Sequence, residues 1–482
     1  MERKIVYFVC LLLLLADLGF SFLQHYNMPL DGDMPLCIVP QENYKPVLAN
    51  PLGLKVVTET KSYANPNRFF SHWLFYKYFN STPLFLQKFT TPINSVYLSG
   101  AIAKIFIQLW LIFLLAAAIT GTVNFLKTNF ILAAILITPF FQTNGYRGQM
   151  AIIDPSVTYT FFYALPAVFL LLYFIPFIRQ YYHDKPPKAQ KPIQILLILL
   201  AFVVCLSGPL NPGIVLVFSC LVLIWAVKKS YITSNQKLLL GRAPHIIQMI
   251  SKSLWFYLIP VGFLAVYSLY LGRYNTFNDV HELSLWASYS ILPKGIFFQF
   301  TQKLGFPVLF TILTLNATFI RKRYQTSEGK KIISLFKRVG LFALIYILLL
   351  PLGGYREYRA LILRYDTIMP ITLSLIFLFG ISSLFLIKNI SGKQKRWYFP
   401  LIVGVLLIFT YADEPEFDRN NCEKMALKEI AESSENIVKL NADCSVLGWD
   451  RFQKPADSDL SAQLLQIWKV TDKKKCYYTQ AN

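Results

Sequence analysis

Charged residues are scarce in this chain, and acidic residues are the scarcer kind. Only 15% of the 482 residues are charged, 26 of them are Asp or Glu, and 55% of the chain is hydrophobic. That composition excludes an ordinary soluble domain, which needs a larger polar surface. The first hydrophobic run follows Met1-Glu2-Arg3-Lys4 and has no small-residue cleavage site after it. We therefore expect it to be an uncleaved membrane anchor.

Long apolar runs separated by polar loops are what the chain has instead. Because a bilayer core requires about 20 apolar residues per helix, the pattern predicts about eleven transmembrane helices, within a range of about ten to twelve. The expected fold is an all-α polytopic membrane protein, with a transmembrane module over 1–411, a long first outer loop over 24–96 and a small extracytoplasmic C-terminal domain over 412–482. The predicted spans are 5–23, 97–121, 128–143, 158–178, 193–208, 212–227, 254–272, 304–320, 339–352, 367–387 and 398–411.

The loops differ in charge from one side of the predicted membrane to the other. Lys and Arg concentrate in the loops that share a side with residues 1–4, although those loops are the shorter ones. The positive-inside rule then places the N-terminus in the cytoplasm and the C-terminus outside, and we expect a bacterial inner membrane. The formal net charge of +21 is thus a topology signal and does not indicate nucleic-acid binding.

Four cysteines fall on the predicted outer side, where disulfides can form. The simplest pair is Cys422 with Cys444, but Cys37 and Cys476 leave three pairings open. The His residues and carboxylates occur singly and not at metal-ligand spacing, so we predict no metal site and no cofactor. Paired acids could nevertheless hold a divalent metal ion.

Acidic residues mark two predicted outer loops. Asp31 and Asp33 flank a glycine just after the first span, where a carboxylate could take a proton from an acceptor alcohol. The alternative is a solvated Asp-Gly turn. Asp154 precedes Pro155 at the start of the fourth span, so it is either a helix N-cap or a functional acid at the membrane edge.

Arginines are unexpectedly dense in the last outer loop, where the topology rule disfavours cations. Their guanidinium groups match phosphate oxygens in a bidentate way and so predict a lipid phosphate site. Ion pairing with Glu357, Asp366 or lipid head groups is the alternative. The candidate phosphate-binding and substrate-binding residues are Arg147, Asp154, Arg356, Arg359, Arg364 and Tyr365.

This layout resembles the GT-C class of integral membrane glycosyltransferases, which take sugars from polyprenyl-phosphate carriers. The resemblance rests on the acidic pair in the first outer loop, Asp154-Pro155 entering the fourth span, Arg364-Tyr365 followed by Pro370, and the polar tail. It covers 1–411 as topology, and its motifs are short and degenerate. The tail at 412–482 matches no family pattern.

The resemblance implies a cell-envelope enzyme that moves a hexosyl or pentosyl group from a polyprenyl-phosphate-linked sugar to a lipid or glycan acceptor. Asp31 or Asp33 would be the general base, and Arg356, Arg359 and Arg364 would neutralise the departing lipid phosphate. Asp154 would orient the acceptor or the base. A lipid-linked glycan polymerase or ligase is one alternative, and a polytopic transporter is another, although no repeat relates the two halves.

Overall fold

The computed structural model describes residues 2–184, 191–233, 252–278 and 283–479. Within these ranges the chain is mostly helical, and its single sheet pairs β1 (Ile437–Leu440) with β2 (Cys476–Thr479) in parallel. The helices before the first gap are α1 Glu2–Tyr26, α2 Met34–Ile38, α3 Lys45–Ala49, α4 Leu54–Glu59, α5 Phe69–Leu86, α6 Pro92–Thr120, α7 Thr128–Ile137, α8 Arg147–Met150, α9 Val157–Tyr159 and α10 Leu165–His183. The later helices are α11 Lys191–Cys205, α12 Asn211–Thr233, α13 Lys252–Gly272, α14 Leu285–Thr301, α15 Gly305–Arg323, α16 Ser327–Leu349, α17 Tyr365–Asn389, α18 Gly392–Ala412, α19 Asn421–Glu432 and α20 Asp459–Ile467.

Several of these helices indicate an integral membrane protein. Seven in the described ranges are long and apolar enough to cross a membrane, and an eighth span arises if α14 and α15, which meet at a bend of 83°, count as one. Three shorter apolar helices occupy Thr128–Phe140, Ile193–Cys205 and Tyr257–Gly272. Each predicted span therefore coincides with a helix, but the predicted count of about eleven membrane crossings is not confirmed.

Two of the long helices form the centre of the bundle. In α17, 83% of the most apolar window is buried inside the protein, and in α6 the share is 67%, whereas it is 11% in α1. Glycine allows the close packing of α17, because a Cβ atom at Gly380 would lie 2.4 Å from Ile119 and 3.0 Å from Ile137. Helices such as α1 keep their apolar side chains on the outside, where lipid would cover them.

The tail after α18 is folded and contacts the first loop. Cys422 and Cys444 form a disulfide, which is the simplest of the pairings that the sequence allows, while Cys37 and Cys476 are free. The neighbouring Glu423 is buried and accepts hydrogen bonds from Leu30 N–H at 2.9 Å, the Tyr97 hydroxyl at 2.7 Å and Leu447 N–H at 3.2 Å. One carboxylate thus joins the tail to the first loop and to α6.

The tail backbone also lies directly against Gly32, between the two acids of the first loop. A Cβ atom at Gly32 would be 2.5 Å from the Trp449 nitrogen and 2.9 Å from the carbonyl carbon of Gly448. These neighbours are backbone atoms, which cannot rotate away as a flexible side chain could. Position 32 therefore requires glycine because of close approach, and the Asp-Gly-Asp segment is not a free solvated turn.

We predict that Gly32→Ala destabilises the fold by about 1–3 kcal/mol, the usual range for overpacking a tight contact. Thermal unfolding of the purified protein in detergent measures the change. Gly353→Ala is the control, because a Cβ atom there meets nothing within 4 Å. Equal unfolding temperatures for the two variants would contradict the packing of the tail on Gly32.

Candidate functional site

Asp31 is buried and held rigidly by its neighbours. One of its oxygens accepts a hydrogen bond from the Thr158 hydroxyl at 2.7 Å, and the other accepts from Thr158 N–H at 3.1 Å. The Asp33 N–H also donates to Asp31, at 3.2 Å. Asp31 therefore orders the loop and orients Asp33, and few of its lone pairs are left for a substrate.

Asp33 is the freer of the two acids. It is half-buried, and the Trp449 indole N–H donates to its carboxylate at 3.0 Å. Burial, together with the neighbouring Asp31, raises the pKa of Asp33 to about 6, and the Trp449 hydrogen bond acts in the opposite direction. A carboxyl group with that pKa exchanges protons near neutral pH, as a general base must.

Asp154 and Lys104 complete what we call the acidic cluster, together with Asp31 and Asp33. Burial raises the pKa of Asp154 to about 6, although the Ser156 N–H donates to it at 2.8 Å. Lys104 reaches this point from α6, donates to the Pro155 carbonyl, and interacts electrostatically with Asp154 and Asp31. Lys104 was not predicted as the partner of these acids, because in the sequence it is an isolated cation within an apolar run.

The fourth predicted span does begin beside Asp154, but Asp154 is not its N-cap. The N-cap is Ser156, whose hydroxyl accepts a hydrogen bond from Tyr159 N–H at 3.1 Å. A π-helical turn over Thr160–Ala164 follows α9 before α10 begins. It carries Tyr163, and π-helical turns in helices occur frequently at functional sites.

Asp366 anchors the arginines of the last loop. Arg364 donates to both of its oxygens, at 2.9 and 2.7 Å, and Arg359 donates to one of them at 2.7 Å. The Asp366 side chain is only 1% exposed, so this carboxylate is almost completely surrounded. The ion-pair alternative from the sequence is therefore realised for these two arginines, with one negative charge between two positive ones.

Tyrosine rings surround the same guanidinium groups. Arg359 donates to the Tyr163 hydroxyl and lies 5.0 Å from the centre of the Tyr358 ring. Arg364 lies 5.3 Å from the Tyr159 ring and 5.0 Å from the Tyr358 ring. Cation–π contacts of this kind hold a guanidinium group without neutralising it. The excess positive charge thus stays available to an anion.

Arg68 adds a third cation, which was not predicted as a site residue. Its Nε atom is buried and makes no hydrogen bond among the described residues. Burial lowers the pKa of Arg68, and the nearby Arg359 guanidinium lowers it further, whereas the neighbouring Tyr163 and Tyr358 act in the opposite direction. We call Arg68, Arg359 and Arg364 the arginine cluster, in which Asp366 balances only one of three charges.

The remaining predicted residues lie at different distances from this cluster. Tyr365 connects the two groups, since it lies beside Asp154 and its ring is 5.3 Å from the Arg364 guanidinium. Arg147 faces the tail instead and lies 3.6 Å from Glu416. Arg356 is half-buried, and the arginines that donate to Asp366 among the described residues are Arg359 and Arg364.

An apolar cavity of about 580 Å³ begins next to the arginine cluster. Its near end is lined by Phe162, Tyr163 and Met369, and it continues between α10, α12, α16 and α17 to Tyr181 and Arg338. Tyr163 belongs to both features, because it lines the cavity and accepts the hydrogen bond from Arg359. Such a shape suits an amphipathic ligand with an anionic head and a long apolar chain.

No protein-family model matches the chain, and no curated protein matches it either. The fold and the site define the class. It is a helical membrane protein in which the acidic cluster and the arginine cluster lie at one end of the bundle, beside an apolar cavity. Among the described residues, no three His, Cys, Asp or Glu side chains are grouped as a metal site would require.

We predict that Asp33 titrates near pH 6 and that Trp449→Phe raises this midpoint, because the indole N–H stabilises the charged carboxylate. Infrared spectra of the carboxyl stretch, with Asp33→Asn as the blank, measure it. The folded-state pKa exceeds the usual 3.8, so the stability from Asp33 is present at low pH and is lost as the pH rises from about 4 to about 6. A midpoint near 4, or a fall in Trp449→Phe, would overturn this assignment.

We also predict that Asp366→Asn destabilises the protein by about 3–5 kcal/mol, because it leaves Arg359 and Arg364 without their shared anion. Asp418→Asn is the control, since Asp418 is exposed and its side chain makes no ion pair in the described structure. Thermal unfolding in detergent compares the two variants. Equal stability would show that the arginines do not depend on Asp366.

Proposed function

We propose that this protein is a membrane glycosyltransferase that moves a sugar from a polyprenyl-phosphate carrier to an acceptor hydroxyl. One observation supports it most strongly: a carboxylate with a pKa near 6 and an arginine cluster of excess positive charge lie on the same face, beside an apolar cavity. This arrangement provides a base for the acceptor, cations for a phosphate and a space for an isoprenoid chain. In such an enzyme this face would lie outside the cytoplasm.

Asp33 is the proposed general base. The oxygens of Asp31 accept hydrogen bonds from Thr158 and from the backbone of Asp33, whereas among the described residues the carboxylate of Asp33 has one side-chain partner, Trp449. The acceptor hydroxyl gives its proton to Asp33 as its oxygen attacks the anomeric carbon. The bond from that carbon to the phosphate oxygen breaks in the same step, so the sugar is transferred with inversion.

The arginine cluster is the proposed phosphate site. When the glycosidic bond breaks, negative charge grows on the polyprenyl phosphate, and guanidinium donors already in place stabilise that charge. Arg68 has a buried Nε–H without a partner, and Arg359 likewise has a buried Nε–H without a partner among the described residues. These are donors that a phosphate oxygen would satisfy.

Tyr159 lies between the base and the phosphate site. The centre of its ring is 6.0 Å from the centre of the Trp449 ring and 5.3 Å from the Arg364 guanidinium. A sugar ring bound between these groups would lie against aromatic faces, with its anomeric carbon between the acid and the arginines. The carrier's chain would then enter the cavity past Tyr163.

A transporter is the alternative with an observation in its favour. The bend of 83° between α14 and α15 and the buried Lys104 beside Asp31 and Asp154 resemble the broken helices and buried charges of transporters. Such a protein would move its substrate without breaking a glycosidic bond. Chemical analysis of the lipid carrier separates the two functions. If the protein were a glycan polymerase or ligase, inactive variants would shorten the glycan chain and would not remove one sugar from it.

We predict that Asp33→Asn and Arg68→Gln each lower sugar transfer by about 100-fold or more, the usual effect of removing a general base or a preorganised charge. The measurement is glycan profiling of membranes together with a lipid extract, at matched expression. One sugar should disappear from a surface glycan while its polyprenyl-phosphate form accumulates.

Two variants control this experiment. Asp418→Asn removes an exposed carboxylate from the tail, and Arg273→Gln removes an exposed arginine beyond the end of α13. Both should leave the glycan and lipid profiles unchanged. If the profiles are unchanged in Asp33→Asn and Arg68→Gln as well, transfer to the glycans sampled is ruled out. Accumulation of an intact glycan on one side of the membrane would favour the transporter.

A further inference from the structure

The apolar cavity has a second charged end, far from the arginine cluster. Tyr163 and Tyr181 both line it, and they belong to one helical stretch within Val157–His183. At 1.5 Å per residue they are roughly 27 Å apart, close to the thickness of a bilayer's hydrocarbon core. We call the distant end, formed by Gln180, Tyr181, Lys331 and Arg338, the far rim.

Arg338 is held at this rim by two aromatic rings. Its guanidinium carbon lies 4.1 Å from the centre of the Tyr181 ring and 4.3 Å from the centre of the Trp225 ring. The rings belong to α10 and α12, while Arg338 belongs to α16, so three helices fix its position. Tyr181 is itself fixed by a hydrogen bond from its hydroxyl to Ser334, at 3.4 Å.

The N–H donors of Arg338 have no acceptor in the part of the chain that the structure describes. Within the described ranges, Arg338 makes no hydrogen bond and no ion pair, although its side chain is half-buried. The aromatic contacts cover the faces of the guanidinium group, whereas its N–H donors lie in its plane, where they match phosphate oxygens. Lys331 lies on the same rim and adds a second positive charge. Its ammonium nitrogen forms an ion pair with the carboxylate of the exposed Asp184, at 2.6 Å.

We infer that the far rim binds the phosphate of an anionic phospholipid, whose acyl chain occupies the adjoining part of the cavity. Charge complementarity identifies the head group, because Lys331 and Arg338 bring two positive charges to the rim and the exposed Asp184 balances one of them. The apolar walls between Leu170 and Leu373 identify the chain. This site does not depend on the proposed sugar transfer, and it is distinct from the arginine cluster at the other end.

A phospholipid bound at the far rim would reduce the space that the cavity offers to a second ligand. A phospholipid chain entering from the far rim fills space between α10 and α17 that an isoprenoid chain entering past Tyr163 would otherwise reach. A lipid at this rim would therefore set how deeply the chain of a second ligand extends. The far rim is thus a candidate site for lipid regulation of whatever binds at the arginine cluster.

Native mass spectrometry of the full chain in detergent tests this inference, with phosphatidylglycerol as the probe and phosphatidylcholine as the zwitterionic comparison. We expect the wild-type protein to retain one phosphatidylglycerol tightly, and Arg338→Gln to bind it at least about tenfold more weakly. Lys337→Gln removes an exposed charge from the neighbouring position of the same helix and should bind as the wild-type protein does.

Arg338→Lys keeps the charge and the aromatic contacts but lacks the planar donors, so we expect binding at least about threefold weaker. This variant decides the question if Arg338→Gln does not fold. Equal affinity of both Arg338 variants and the wild-type protein would overturn the inference. So would displacement of the lipid by equimolar glycerol 3-phosphate, because a site for soluble phosphate would not need the chain.

Discussion

Asp366 is the anion on which the arginine end of the site depends. It is buried at the start of a central helix, and its two oxygens accept three hydrogen bonds from Arg359 and Arg364. A carboxylate at such a position is stable only because both guanidinium groups face it, and they in turn are fixed because the carboxylate cannot move. With Arg68 nearby, the group still has more positive than negative charge. The rest of the proposed chemistry uses this remaining charge.

The acidic end is arranged by a different constraint, the contact between the tail and the first loop. Glu423 accepts hydrogen bonds from Leu30, Tyr97 and Leu447, so it fixes three segments at one point. Burial raises the pKa of Glu423 to about 7, although these donors oppose the shift. The same contact brings Trp449 to Asp33. The tail therefore acts on the proposed base through a hydrogen bond, and is more than a tethered appendage.

The sequence predicted the helical membrane fold, the two acidic loops and the arginine-rich loop correctly as features, because these depend on local composition. It could not predict which arginines pair with Asp366, because Arg356, Arg359 and Arg364 all precede it in the same short loop. Lys104 and Arg68 were not predicted as site residues, because each is an isolated cation until the chain folds. The choice between Asp31 and Asp33 also required the structure, since it depends on Thr158 and Trp449, which are distant in the sequence. Predicted spans such as 128–143 form short helices, and their length does not decide whether they cross the membrane.

The structure of the protein in a lipid nanodisc with saturating polyprenyl phosphate tests the central claim most directly. We expect the phosphate within hydrogen-bond distance of Arg68 and Arg359, with the isoprenoid chain entering the cavity past Tyr163. A phosphate bound away from the arginine cluster, or a cavity that holds no isoprenoid chain at saturation, would contradict the assignment of this face as the donor site.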